Sequence, residues 1–368
     1  MEKEREKKID TLFVTALNNN VFPGAAMAFS KRTENGYKRL EKYYGLAQNK
    51  PSKIKLTKDH FFDLASLTKP LTTVPLLLTL FKKKLLTPET QLGKIYTDCP
   101  SDKKSITIRQ LMSHSAGFVA HREYFKELIF LPKENIKEVL LNKIMGETIT
   151  SIKGDKHCYS DLGFMLLGLI IEKLTGKEIG ELAHLSIYRP LELQNDLVFP
   201  SFDKTRGNSY VSTEMCLWDK KMLSGKVHDD NCRVMGGQAG HAGLFGTLRG
   251  VMGLCEQLLD QWQGRRYHPG YSNSLLRNSL TRVGNSAWTM GFDMVSERGS
   301  SSGSHFSGTS VGHLGFTGTS FWIDPEKSCI AVLLTNRVHY GRDNWKIKEF
   351  RPAFHDLLMG AADLRKKD

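Results

Sequence analysis

Strand-like sequence lies near both ends of this chain, with a long helical stretch between. Near the start, Ala25-Ala26-Met27-Ala28-Phe29-Ser30 reads as a buried strand, Asn35-Gly36 as a hairpin turn and Leu40–Tyr44 as the returning strand. Near the end, Thr289–Val295, His313–Ile323 and Cys329–Asn336 read as three more, with Asp324-Pro325-Glu326-Lys327 as the turn between the last two. Terminal strands must find partners, and the simplest solution is one antiparallel sheet built from both chain ends. The predicted class is therefore α/β of the α+β type: a sheet flanked by helices, with an inserted, mainly helical lobe. A single domain is expected, its sheet lobe made of residues 1–86 and 271–368 and its helical lobe of 87–270. The cleft between them is the natural ligand site.

The helices follow from apolar spacing. Ile9, Leu12, Phe13 and Leu17 give residues 2–18 one apolar face, and Phe22-Pro23-Gly24 ends it. Leu71, Val74, Leu77, Leu78, Phe81 and Leu85 predict a helix over Leu67–Leu86, with Pro70 in its first turn, where a missing N–H matters least. Leu162–Leu174 is strongly apolar and stops at Gly176, a C-cap. Residues 299–312 are rich in Gly and Ser and predict a mobile loop, and Trp345–Leu358 predicts a closing helix.

Composition excludes several classes. With 368 residues and 40% hydrophobic content the chain can bury a large core. Its net charge of +13 is scattered, and the short runs Lys82-Lys83-Lys84, Arg265-Arg266 and Arg365-Lys366-Lys367 lack interleaved aromatics, so no nucleic-acid partner is expected. Cys99, Cys158, Cys216, Cys232, Cys255 and Cys329 show neither CxxC pairs nor zinc spacing and read as plain thiols; Cys158 adjoins a candidate site residue. His228-Asp229-Asp230 reads as a loop triplet, so neither metal nor cofactor is expected. No transmembrane segment is present, and the charged start Met1-Glu2-Lys3-Glu4 carries no secretory h-region, which points to the cytoplasm. A signal removed upstream of residue 1 would instead place the protein in the periplasm or outside the cell. Oligomeric state is not legible.

Three elements carry chemistry. Ser-x-x-Lys occurs four times, at Ser52…Lys55, Ser66…Lys69, Ser101…Lys104 and Ser201…Lys204. Ser66-Leu67-Thr68-Lys69 alone opens a long apolar helix. There, residues three apart share a face, burial lowers the Lys pKa, and a neutral amine can take the Ser proton. The helix N-terminus also favours the negative charge of an acyl-transfer intermediate. Tyr159-Ser160-Asp161 precedes the apolar helix; a phenol beside an ammonium can act as base and then acid, while taken singly Tyr159 reads as a half-buried aromatic and Asp161 as an N-cap. His313-Leu314-Gly315-Phe316-Thr317-Gly318-Thr319 begins a strand, and Gly315 lets a backbone edge approach a ligand. Among the other histidines, His114 reads as a brace for a turn and His241 as part of a wall.

In this order, Ser66…Lys69, Tyr159 and His313-Leu314-Gly315 resemble the β-lactamase-related serine hydrolases, a group that includes class C β-lactamases, penicillin-binding D-Ala-D-Ala carboxypeptidases, D-aminopeptidases and some carboxylesterases. Leu111–Gly117, Val227–Asn231, Gly240–Phe245 and Leu333–Arg337 strengthen the resemblance, which spans about residues 20 to 355 and implies the β-lactamase/transpeptidase-like fold. It implies that Ser66 is acylated, that Lys69 takes or shares its proton, and that Tyr159 is general base and acid. It places His313 where many β-lactamases have a Lys, and the oxyanion hole on the backbone N–H groups of Ser66 and Phe316. Asp161, Gly315 and Asn336 are the implied substrate contacts, and the substrate is a small ester or a short peptide of cell-wall type. Two departures matter. The family's tyrosine motif usually ends in Asn, not Asp161, and its strand motif begins with Lys, not His313. Both weaken the case for β-lactamase or penicillin-binding carboxypeptidase activity and favour esterase, D-peptidase or amidase activity. A binding module that keeps the cleft without turnover is the remaining alternative, and the intact reactive elements argue against it. The strand order does not support the parallel sheet to which a Gly-x-Ser-x-Gly elbow belongs.

Overall fold

The first long strand and the last pair side by side. In this computed structural model, which describes residues 2–150, 157–202, 209–218, 220–296 and 299–360, β1 (Gly24–Thr33) runs antiparallel to β10 (Cys329–Thr335), from Ala25 opposite Thr335 to Lys31 opposite Cys329. The sheet continues through β2 (Gly36–Gln48) and β3 (Ile54–Lys55) on one side. On the other it continues through β9 (Ser320–Asp324), β8 (Val311–Leu314) and β7 (Asp293–Met294). The order is β3-β2-β1-β10-β9-β8-β7, with every pair antiparallel. A second small sheet joins β4 (Phe62–Asp63), β6 (Phe245–Gly246) and β5 (Leu197–Val198). This is the single antiparallel sheet built from both chain ends that the strand placement predicts, and it fits the fold that the resemblance implies.

Both faces of the large sheet are buried, which is why its central strands read as apolar runs rather than alternating ones. Ala26, Ala28, Ile330, Val332 and Leu334 face the larger core. Ala25, Met27, Phe29, Ala331 and Leu333 face a second core with Phe13, Phe350 and Phe354. Those aromatics come from helices Glu2–Asn18 and Ile347–Met359. Helix Leu248–Trp262 falls within the segment 87–270 expected as the helical lobe, yet it lies on the sheet. Ser30 Oγ donates to Glu256 (2.7 Å), Arg39 Nε to the same carboxylate (2.7 Å), and Tyr37 OH to Asp260 (2.9 Å).

Several predicted elements change form. His313–Ile323 is not one strand but a hairpin, because Gly318 takes φ +102° and residues 315–319 form a tight turn between β8 and β9. Thr289–Val295 keeps only Asp293–Met294 as strand. The helix predicted over Leu67–Leu86 begins with a 3₁₀ turn, Ala65–Leu67, and a π-helical turn, Lys69–Thr73, before the regular helix Val74–Lys82. Pro75 has no N–H to offer the Leu71 carbonyl, which takes a bond from Tyr188 OH (3.3 Å) instead. Ser160, not Asp161, is the N-cap of helix Asp161–Thr175, which ends at Gly176 with φ +67° as predicted. The Gly/Ser-rich loop, of which residues 299–312 are described, is tied down rather than loose. Ser304 N donates to Asp356 (2.6 Å), Ser307 Oγ to Asp324 (2.8 Å), and Phe306 is buried. Met1, Lys204 of the fourth Ser-x-x-Lys match and the basic run 365–367 lie outside the described residues. Among the described residues no helix is long and apolar enough to cross a membrane.

One contact couples this scaffold to the cleft. Helix Asp161–Thr175 meets the loop before His241 backbone to backbone: a Cβ on Gly168 would stand 2.6 Å from Gly240 N, and one on Gly240 2.1 Å from the Phe164 carbonyl. Gly168→Ala is expected to cost about 1–3 kcal/mol of stability through overpacking and to lower activity by shifting that loop; chemical denaturation and assay of the same preparation check both.

Candidate active site

Ser66 sits, half-buried, on the 3₁₀ turn after β4. The residue before it, Ala65, has φ +48°, a left-handed conformation that costs a non-glycine residue about 1–2 kcal/mol. Buried Asp63 holds it: one carboxylate oxygen accepts from Ala65 N (2.9 Å), the other from His228 N (2.7 Å). Thr68 Oγ1 donates to the Ala65 carbonyl (2.7 Å) and accepts from Leu244 N (3.1 Å). The turn is thus fixed from three segments, which presents Ser66 at the cleft.

Lys69 is fully buried beneath it. Its ammonium donates to Ser66 Oγ (2.9 Å), Tyr159 Oη (2.7 Å) and Asp161 Oδ1 (2.7 Å), and lies 3.3 Å from the His241 carbonyl. Burial by itself pulls its pKa down, but Asp161 and Tyr159 outweigh that and hold it above the ordinary lysine value. The neutral amine expected from burial alone is therefore corrected: the resting Lys69 is a paired cation. Burial pushes the Tyr159 phenol up to about 12, against the downward pull of Lys69 and Ser66. Asp161 lies well below the usual carboxylate range: burial raises it, and Lys69 and His121 more than reverse this.

The tyrosine segment is held by the Ser113-His114-Ser115 turn. His114 Nδ1 accepts from Ser160 N (3.1 Å), its carbonyl accepts from Cys158 N (2.9 Å), and its ring packs 4.6 Å from that of Tyr159. The brace expected of His114 is thus in place. Cys158 itself is exposed.

His313 is buried on β8, its ring 6.0 Å from that of Tyr159. Nδ1–H donates to the Leu314 carbonyl (2.8 Å), and Nε2 has no hydrogen-bond partner among the described residues. Burial, then Lys69, lowers its pKa, so at neutral pH His313 is a neutral ring with a bare Nε2. Gly315 is needed for packing: a Cβ there would lie 2.0 Å from Thr319 Oγ1 and 2.7 Å from the Leu64 carbonyl. Thr317 Oγ1 and Thr319 Oγ1 donate to the Asp63 (2.8 Å) and Leu64 (3.1 Å) carbonyls. These two bonds dock the 315–319 turn on the segment that leads into Ser66.

Ser66, Tyr159, Asp161, His313, Gly315 and Phe316 all border one cavity of about 730 Å³, a size that suits a drug-sized ligand. Asn336 is not among its lining residues. Its amide accepts from Gly24 N (3.0 Å) and donates to the Ala47 (3.2 Å) and Ser212 (3.2 Å) carbonyls, so the expected substrate contact is replaced by a clamp on the sheet. Three features escaped the sequence. His121 Nδ1 lies 3.3 Å from Asp161 Oδ2, a contact with no spacing signal. His241 Nε2 lies 2.9 Å from Asp229 Oδ1, pairing two residues taken as a wall and a loop triplet. Arg337 and Arg351 lie buried beside the 315–319 turn; a basic residue between Phe350 and Phe354 on a buried face was the available clue. Among the described residues no His, Cys, Asp or Glu cluster could hold a metal ion.

A sequence profile of the beta-lactamase family matches residues 9–350. A relative from Escherichia coli K12 named "Putative D-alanyl-D-alanine carboxypeptidase" is 29% identical over 338 residues, covering 78% of this chain and 71% of its own. An N-acetylmuramyl-L-alanine amidase of Bacillus subtilis is 29% identical over 357 residues, covering 86% and 78%. Among solved structures, an octameric penicillin-binding protein homologue from Pyrococcus abyssi superposes with a TM-score of 0.74 at 17% identity, over 96% of this chain and 77% of its own.

The buried ion pair sets a pH test. Asp161 is depressed, so its contribution is full above the ordinary 3.8 and lost as pH falls through its folded value; Lys69 is raised, so its contribution is full below 10.5 and lost as pH rises through its own. Asp161→Asn is expected to lose about 3 kcal/mol at neutral pH. That deficit should shrink in acid below the ordinary carboxylate value, as measured by urea denaturation across pH.

Proposed function

The chain belongs to the beta-lactamase family, and on that premise we propose that it is a serine hydrolase that forms an acyl-Ser66 intermediate from an ester or a D-amino-acid-type amide. One observation carries the reading: a single buried ammonium, Lys69 Nζ, touches Ser66 Oγ, Tyr159 Oη and Asp161 at once. Because Lys69 is already protonated, it does not collect the serine proton. It donates to Ser66 Oγ and Tyr159 Oη and stabilises negative charge on both. As Ser66 Oγ attacks the carbonyl, its proton passes to Tyr159 Oη, and the phenol's own proton goes to the leaving alcohol or amine. The C–O bond to Ser66 forms, the bond to the leaving group breaks, and Tyr159 ends neutral. Water repeats the relay in reverse to free the acid. The backbone N–H groups of Ser66 and Phe316 take the oxyanion. Their spacing is supported by the Thr317 and Thr319 bonds to residues 63 and 64.

The relatives named as carboxypeptidase and amidase support a peptide or amide substrate of cell-wall type. The charges narrow it. His313 is neutral where a cation would meet a substrate carboxylate, and Asp161 adds a negative charge beside the nucleophile. Both disfavour a carboxylate next to the scissile bond, and so favour ester or amide cleavage over β-lactam hydrolysis or release of a terminal D-alanine.

Wild-type protein mixed with a p-nitrophenyl ester is expected to show a burst of nitrophenol and an acyl mass increment on the peptide containing Ser66. Ser66→Ala should remove both and lower turnover by at least about 10³-fold. A chromogenic cephalosporin in the same series should turn over far more slowly than the ester. Absence of any adduct in the wild type would sink the proposal.

A further inference from the structure

The turn that carries Phe316 is held by two buried guanidinium groups, which also border the cavity. Arg351, on helix Ile347–Met359, donates through Nη2 to the Gly315 carbonyl (2.8 Å) and to the Thr319 carbonyl (2.8 Å), the two ends of the turn. Arg337 Nε donates to the next carbonyl, that of Phe316 (2.7 Å). Arg351 is 6% exposed and Arg337 1%. No carboxylate among the described residues pairs with Arg351, and its Nε has no hydrogen-bond partner. Burying an unpaired cation is costly, and carbonyl dipoles repay only part of that cost. Holding the turn in shape needs less: the Gly315 N–H already donates to the Thr319 carbonyl (2.8 Å), and Thr317 and Thr319 already dock it. A charge at this point calls for a further reason.

The reason lies in the peptide unit. The Gly315 carbonyl and the Phe316 N–H belong to one planar trans peptide and point in opposite directions. Whatever fixes the carbonyl fixes the N–H, and a cation on the oxygen draws electron density from the nitrogen, making the N–H a stronger donor. We propose that Arg351 is a positioning residue for the oxyanion hole, its guanidinium aiming and polarising the Gly315–Phe316 peptide so that the Phe316 N–H meets the developing oxyanion. This rests on the reading of that N–H as half of the hole. Arg337 does the same service to the following peptide, which sets the plane of the turn. Burial, then Arg337, pushes Arg351 down to about 9, so it keeps its charge at neutral pH.

The test is a kinetic series on full-length protein with an oxo-ester and the matching thiono-ester, whose sulfur accepts hydrogen bonds poorly. Arg351→Met is expected to lower kcat by about 10–50-fold, less than the loss from deleting a hole donor outright, with KM within about threefold. The wild-type preference for oxo- over thiono-ester should shrink by a similar factor. Arg351→Lys should recover most of both. If Arg351→Met does not fold, Arg351→Gln, which keeps an N–H but loses the charge, carries the same expectation. An unchanged oxo/thiono ratio in the charge-free variant, or a loss that falls on KM instead of kcat, overturns the proposal while leaving the acyl-Ser66 reading intact. Failure of the wild type to acylate at Ser66 overturns both, and is told apart because it appears before any variant is made.

Discussion

A single ammonium group, buried with no access to water, organises the centre of this protein. Lys69 must find oxygen partners, and it finds them in Ser66 on its own turn and on two segments distant in sequence: Tyr159 and Asp161 at the head of a helix, and the carbonyl of His241. Because a buried cation without partners is far costlier than any of these bonds is strong, the segments are compelled to meet. The glycine contact between positions 168 and 240 shows the geometric side of that demand, since only bare backbones let the helix and the His241 loop come close enough. Ser66, Tyr159 and Asp161 are then gathered by the same requirement that keeps the core intact.

The sheet supplies the other half. Pairing of β1 with β10 brings the C-terminal hairpin alongside the segment 62–66, and two threonine hydroxyls close the gap. The site therefore lies between a helical wall, whose chemistry is ionic, and a strand wall, whose chemistry is that of backbone N–H groups. His313 belongs to the second wall and is neutral, while two buried guanidinium groups that also border the cavity, Arg337 and Arg351, are bound to backbone carbonyls of the 315–319 turn.

Much of this was legible in the residues. Strand patterns at both chain ends were enough to require a shared antiparallel sheet. The helix after Ser66 singled out one of four Ser-x-x-Lys matches, and Tyr159 and His313 fell where their order suggested. What escaped was set by distance and by competition. The protonation of Lys69 could not be read from burial, because it depends on Asp161, which the sequence presented as a capping residue. The strand predicted over His313–Ile323 hid a hairpin, since five apolar or hydroxyl residues look alike in a strand and beside a tight turn. Asn336 seemed a ligand contact because it lies in a stretch that matches the family, whereas its amide is consumed by backbone groups of Gly24 and Ala47 in the sheet and of Ser212 beside it. His121 had no periodicity to betray it.

The tether between the 315–319 turn and residues 63–64 also bears on how the fold is assembled. Its two hydroxyl-to-carbonyl bonds join positions 254 and 255 residues apart in the chain. Contacts of such long sequence separation form late and slowly, so the surroundings of Ser66 are complete only once the two outer parts of the sheet have closed on each other. On our reading of Ser66 as the nucleophile, reactivity toward an ester would itself report completion of the fold.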